Sequence, residues 1–426
     1  PAEPGAPPGE SSAPTVAVGG SSRAVREQLD ELENGGGLPE FKAEFVSENE
    51  IIVPSLMDPP MPLSQVILAF LYVVPIFFVS IFFTSSFMEE KLNRKLNILL
   101  SAPVTPLQII AGKMLPYFGY SLVSIIAITL ALGGDILLAV VIFVPIVLFI
   151  FSLYLMVALL YRTFKDQTFF SLLAVTLITV YLVFPSMFSG ISELSHISPL
   201  HLAIQMYKGE AFGLSEYMLA TTPMYLMFGV GLFIGVRIFN EEFLMGFRPL
   251  HRKLGDAVLL TINRRRLHLS ILLLSLFLIP TVFMVQLASL VIAFNLPTPL
   301  AIVVALTISV VVEEIAKSAG IVVLIQNRIA LSMRRVLTLS AMSALGFFAG
   351  EKFLLWIALK VIPQSTFTDA IFGTGLLIIP LLAHFFFTAM VCLISARFGA
   401  KRYVMAIAAG SLLHILYNLL VAGVLM

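Results

Sequence analysis

From about residue 62 to the last residue, apolar segments follow one another with only short polar interruptions. A hydrocarbon layer about 30 Å thick needs about 20 apolar helical residues to cross it. The pattern therefore predicts spans at about 62–88, 108–132, 136–160, 167–188 and 217–239, then 269–294, 299–326, 336–361, 370–395 and 403–426. Pro1 to about Gly37 is rich in Pro, Gly, Ser, Ala and Glu, a composition too polar to bury a core; we expect a disordered extramembrane tail, with a short surface helix from Ala24 to Asn34. The fold class expected is all-α, a polytopic helical membrane protein of about ten transmembrane helices in two five-helix halves. The expected domains are an extracytoplasmic segment (1–61), a first transmembrane domain (62–240), a basic connector (241–268) and a second transmembrane domain (269–426), with no internal repeat.

Composition agrees: 59% of residues are hydrophobic and only 12% charged, with a mean hydropathy of +0.99, values that exclude a soluble domain of this length. The net charge of +1 identifies no partner, so the placement of charge matters more. Glu89–Lys95, Arg162–Lys165, Arg237–His268, Arg328–Arg335 and Arg397–Arg402 are basic and fall on one side, whereas 133–135, 189–216, 295–299 and 362–369 carry almost no Lys or Arg. The bias of basic loops toward the cytoplasm then places the N-terminal segment outside, in a multi-pass protein of the plasma membrane. Arg264, Arg265 and Arg266 read as a topology anchor on anionic lipid, and no nucleic-acid signal is present. The single cysteine, Cys392, excludes an internal disulfide and reads as apolar filler. Residue 1 is proline and no signal peptide opens the chain, so we expect its natural start upstream.

The second half carries a polar motif in each of four spans: Glu313-Glu314-x-x-Lys317, Phe347-x-x-x-Glu351, His384 in HFFFTA, and His414-x-x-x-Asn418. A charge at the bilayer centre costs roughly 3 kcal/mol. Adjacent acids there are hard to explain as packing, although His384, His414 or Asn418 alone would read as interhelical hydrogen bonding. Residues four apart share a helix face, and each motif lies about 11 to 15 residues from a span end, roughly 16 to 22 Å deep. Carboxylates, imidazoles and a carboxamide at matched depth suit water activation and oxyanion binding. No H-E-x-x-H is present, and Gly133-Gly134-Asp135 is not the G-x-G-D of aspartyl intramembrane proteases.

These four motifs, in this order over about 270–426, resemble PrsW-type intramembrane proteases, within the superfamily of CAAX proteases and bacteriocin-processing enzymes (CPBP). Lys317 and Glu351, in place of the arginine and histidine of the CAAX branch, point to the PrsW branch. The resemblance implies that Glu313 and Glu314, with His384, activate water or hold a metal. It further implies that His414 and Asn418 stabilise the oxyanion, that Glu351 completes the cluster and that Lys317 balances its charge. Zinc on Glu313, Glu314, His384 and His414 and a glutamate mechanism both remain open.

In the first half, a charged segment (Glu89, Glu90, Lys91) leaves the first span, an amphipathic stretch through Leu99 and Leu100 stops at Ser101-Ala102-Pro103, and Gly112-Lys113 enters the next span. The structural alternative is a solvated loop with snorkelling lysines. The segment is similar to the ATPase-coupling region of type-2 ABC transporter permeases over about 40–240, and Ile197-Ser198-Pro199-Leu200 resembles that family's outer re-entrant helices. Such permeases have six spans against five here, so we expect one more before Pro1. The resemblance implies a separate ATPase subunit docking near Glu89–Pro106 and a homodimer or a second permease. No G-x-x-x-x-G-K-[ST] occurs, so ATP would be bound by that partner.

Together these features predict a permease fused to an intramembrane endopeptidase that cuts a membrane-associated protein or peptide, with cutting linked to export. The alternative is a transporter subunit whose second half binds a lipid or peptide without cutting it.

Overall fold

The computed structural model describes residues 63–425, apart from 162, 188, 190–192, 247, 295, 331 and 362–376. The tail, the helix expected at 24–34 and the loop at 362–369 thus lie outside the described residues. Among the described residues there is no strand, and nine helices are long and apolar enough to cross a membrane. This is a multi-pass, all-α membrane protein.

The first half comprises α1 (Leu63–Leu92), α2 (Lys95–Ser101), α3 (Pro106–Leu132), α4 (Ile136–Leu160), α5 (Phe164–Ser186), α6 (Pro199–Lys208) and α7 (Leu214–Ile238). The connector forms α8 (Glu241–Met245) and α9 (Leu250–Thr261). The second half comprises α10 (Leu267–Phe294), α11 (Thr298–Gln326), α12 (Met333–Val361), α13 (Ile378–Phe398) and α14 (Tyr403–Leu425). Helix ends follow local chemistry. Thr105 and Gln108 form a capping box before Pro106, and the carboxylate of Asp135 accepts from Leu138 N at 2.9 Å. The span expected at 370–395 is helical from Ile378. The 29-residue α12 is the tenth long helix, set apart from the nine by the charges it carries, among them Glu351 and Lys352.

Helix α4 is the most apolar and most buried of the candidate spans in the first half, enclosed by α1, α3 and α7. Gly231 lets α7 close on it, since a Cβ there would stand 2.9 Å from Ser152 Cβ. In the second half α10 packs against both α11 and α12. Gly346 and Gly350 share one face of α12, where a Cβ at Gly346 would fall 2.1 Å from the carbonyl oxygen of Leu272. In lipid, where apolar surface gains little by association, such small residues allow the close approach that holds helices together.

The connector is folded against both halves. The Lys253 ammonium donates to Leu160 O at 3.2 Å. Beside it, Lys91 donates to the carbonyls of Ala158 (3.1 Å), Leu159 (3.0 Å) and Tyr161 (2.7 Å). Two buried ammonium groups thus satisfy the open carbonyls at the C-terminus of α4 and complement its dipole. On the exposed side Arg248 bridges Asp256 (2.6 Å) and Glu242 (3.2 Å), and the Asp256 carboxylate raises the guanidinium pKa above its ordinary value. An apolar cavity of about 290 Å³ lies where α4, α7, α9 and α10 meet.

Gly346→Ala should overpack the α10–α12 crossing and destabilise the protein by about 1–3 kcal/mol, read as a lower unfolding midpoint in detergent. Gly119→Ala, where a Cβ meets nothing within 4 Å, should leave the midpoint near wild type.

Candidate active site

Helix α11 presents Glu313, Glu314 and Lys317, α12 presents Phe347 and Glu351, α13 presents His384, and α14 presents His414 and Asn418. Counted from the helix ends next to the basic loops, Glu313 is 13 residues from Gln326 and Glu351 is 18 from Met333. His384 is 14 from Phe398 and His414 is 11 from Tyr403. At 1.5 Å per residue these are depths of roughly 17 to 27 Å.

At the centre is an ion pair with no exposed surface on either side chain: Lys317 Nζ donates to Glu314 Oε1 at 2.6 Å. The same ammonium lies 3.2 Å from His384 Nδ1 and 5.1 Å from the centroid of the Phe347 ring. An ammonium only donates, so Nδ1 accepts and the ring proton of His384 resides on Nε2. That N–H points to Glu351 Oε2 at 3.1 Å, and Glu351 Oε1 accepts from Lys352 at 3.0 Å. On the other side His414 Nδ1 lies 2.9 Å from Glu314 Oε1. A carboxylate only accepts, so His414 is protonated on Nδ1 and its Nε2 keeps a lone pair, 3.9 Å from Glu313 Oε2. Phe387 stacks on the His414 ring at 4.8 Å, and the two imidazoles stand perpendicular, 5.7 Å apart.

The frame around the cluster is hydrogen-bonded to the helix backbone. Ser343 Oγ donates to Lys317 O (2.6 Å) and contacts Ser275 Oγ (2.7 Å). Ser318 Oγ donates to Glu314 O (2.6 Å) and pairs with the Tyr403 hydroxyl (2.8 Å). Buried polar groups without water must find such partners.

The seven candidate residues divide into those joined and one left aside. Glu313, Glu314, Lys317, Glu351, His384 and His414 form one network; Asn418 lies a turn beyond His414, half-buried, and no hydrogen bond joins it to the cluster among the described residues. Gln286 on α10 escaped the sequence reading. Its Nε2 donates to Glu313 Oε1 (2.9 Å) and to Ser309 Oγ (2.7 Å). The signal was a lone carboxamide in a 28-residue apolar helix, a recognised mark of function in a membrane.

Donor chemistry suits a divalent metal at Glu313, His384 and His414, whose candidate ligand atoms lie within 4.8 Å of one another. Zinc draws such atoms to about 2.0–2.2 Å from itself, so the three side chains would close in by rotamer adjustment, and His384 would release Lys317 or Glu351. His414 is already arranged as a ligand, with Nδ1–H on a carboxylate and Nε2 facing the site. Of the four residues expected around a metal, Glu314 stands apart, held by Lys317 and His414, although its Oε2 is buried without a partner.

Among the ATPase-coupling candidates, Glu89 and Pro103 are exposed, as are Ile98 and Val104 beside them. Lys91 is buried beneath α4, Glu90 pairs with Lys113, and Leu99 and Leu100 pack against the first-half core. The amphipathic stretch therefore turns one face inward and leaves a narrow strip outside.

Residues 28–237 match the family model described as ABC-2 family transporter protein. Residues 264–426 match the one described as PrsW family intramembrane metalloprotease. No curated protein and no solved structure matches the chain.

Lys317→Met should leave the Glu314 carboxylate buried without its cation and destabilise the protein by about 3–5 kcal/mol. Adding Glu314→Gln to that variant should recover part of the loss, measured as unfolding midpoints of the two proteins in the same detergent.

Proposed function

We propose that this chain, in which an ABC-2 transporter domain is joined to a PrsW-family intramembrane protease domain, hydrolyses a peptide bond of a membrane-associated protein or peptide. The observation that supports this most is the asymmetry of the two adjacent acids. Glu314 is sealed by Lys317 and His414, whereas the Glu313 side chain keeps 16% of its surface exposed and turns Oε2 toward His414 Nε2. One carboxylate is structural and the other is placed to react.

In this reading Glu313 is the general base. It takes a proton from water as the water oxygen bonds to the scissile carbonyl carbon, and passes that proton to the amine as the C–N bond breaks. His414, fixed by Glu314, faces the same space, and His384 is fixed by Glu351. The developing oxyanion is stabilised by the Asn418 amide once substrate fills the space beside it, and by His414 after its Nε2, which faces the site with a lone pair, has taken up a proton. Lys317 offsets the negative charge of the acids so that they can share a low-dielectric site. A divalent ion such as zinc, when bound, would supply Lewis-acid polarisation.

The ABC-2 domain implies pairing with an ATPase subunit. We assign its docking strip to Glu89, Ile98, Pro103 and Val104, with the basic loops on the cytoplasmic side of the plasma membrane and the permease working as a pair. We take residues 62–240 as the permease domain, 241–268 as the connector and 269–426 as the protease domain. Because Lys253 ties the connector to α4, cleavage and export are expected to be linked.

Membranes expressing wild type, Glu313→Gln and His384→Ala at equal levels should differ in terminal peptides: new ends with wild type, and none with either variant. Identical peptide ends in all three would sink hydrolysis and favour a permease with a binding module. Ile98→Asp should reduce copurification of the ATPase subunit at least several-fold; retention at the wild-type level would move the docking surface elsewhere.

A further inference from the structure

The geometry points to Gln286 as the residue that positions Glu313, an inference that rests on the hydrolytic reading of the site. Both bonds of its Nε2 are assigned: 2.9 Å to Glu313 Oε1 and 2.7 Å to Ser309 Oγ. Ser309 and Glu313 are one turn apart on α11, so the single amide spans that turn from the neighbouring helix. With Oε1 tied to Gln286, Oε2 stands 3.9 Å from His414 Nε2. Without the tie it would swing freely, because the other contact given for Glu313, with His414, is 3.9 Å long against 2.6 and 2.9 Å for those that hold Glu314.

The anchor is itself rigid. On α10, Thr281 donates to Met227 Sδ of α7 at 3.2 Å, and Met284 and Leu287 pack against the first-half core. The other side of the helix is fixed to α12 through Gly346 and Gly350. Gln286 therefore projects from a helix wedged between the two halves, and the orientation of Glu313 is set from outside the four helices that carry the motifs. A carboxamide is well suited to such positioning, since it donates without adding charge and leaves the carboxylate free to accept a proton.

The test uses the full chain in nanodiscs, with the peptide identified from the new ends as substrate and zinc as the metal probe. Gln286→Met, similar in shape but without a donor, should lower kcat by about 10–100-fold, the effect usual for a partner that orients a ligand. KM should stay within about twofold, zinc should bind about 10–100-fold more weakly, and the unfolding midpoint should stay near wild type. Gln286→Asn, which keeps the donor on a shorter arm, should recover part of both losses, and Ser309→Ala should show a smaller loss of the same kind. Wild-type kcat and zinc affinity in Gln286→Met would overturn the assignment. So would a parallel loss of midpoint with no recovery by Gln286→Asn, since that pattern belongs to packing. Should Glu313→Gln cleave normally, the role of Glu313 as general base falls instead, and zinc affinity alone then decides whether Gln286 orients Glu313.

Discussion

A single buried ammonium organises the second half of this protein. Lys317 has no contact with solvent, and its partners are Glu314, the Nδ1 of His384 and the face of Phe347. In hydrocarbon an unpaired cation is costly, so this group specifies what its neighbours must be. It keeps Glu314 ionised in place and selects the tautomer of His384. Through Glu314 it also selects the tautomer of His414. Glu313, by contrast, keeps part of its side chain exposed and has neither Lys317 nor a short His414 contact on its carboxylate.

The same logic operates at the C-terminal end of α4 in the first half. Lys91 and Lys253 are charged residues placed where a helix C-terminus exposes carbonyls. The first comes from α1 and the second from the connector. One helix end thus collects α1 of the first half and the connector to the second, where the linear sequence shows only basic segments. The apolar helices around it are held by shape, with glycines at Gly231 and Gly346 setting how close they come.

A residue type is legible from sequence where it has one meaning in lipid. The spans at 136–160, 299–326 and 403–426 were legible because apolar length maps directly onto membrane thickness. That Glu313, Glu351, His384 and His414 would meet was legible because polar and charged groups in lipid are expensive unless they find one another. Less legible were the roles: Lys91, Leu99 and Leu100 carry the charge and apolarity of a docking surface, yet all three turn toward the protein. Gln286 was overlooked because a neutral amide in an apolar helix stands out far less than a charge.

Sequence alone determined that the chain is an all-α membrane protein of two unlike halves, and that four polar motifs lie deep in the second. These are properties of single helices, fixed by composition and by the 3.6-residue period. Tertiary structure decided which of two neighbouring acids is buried, which imidazole nitrogen carries the proton, and which residue of another helix holds Glu313. Glu313 and Glu314 have the same chemistry and adjacent positions. The difference between them is about 100° of rotation around α11, and only the packed neighbours determine what each direction meets.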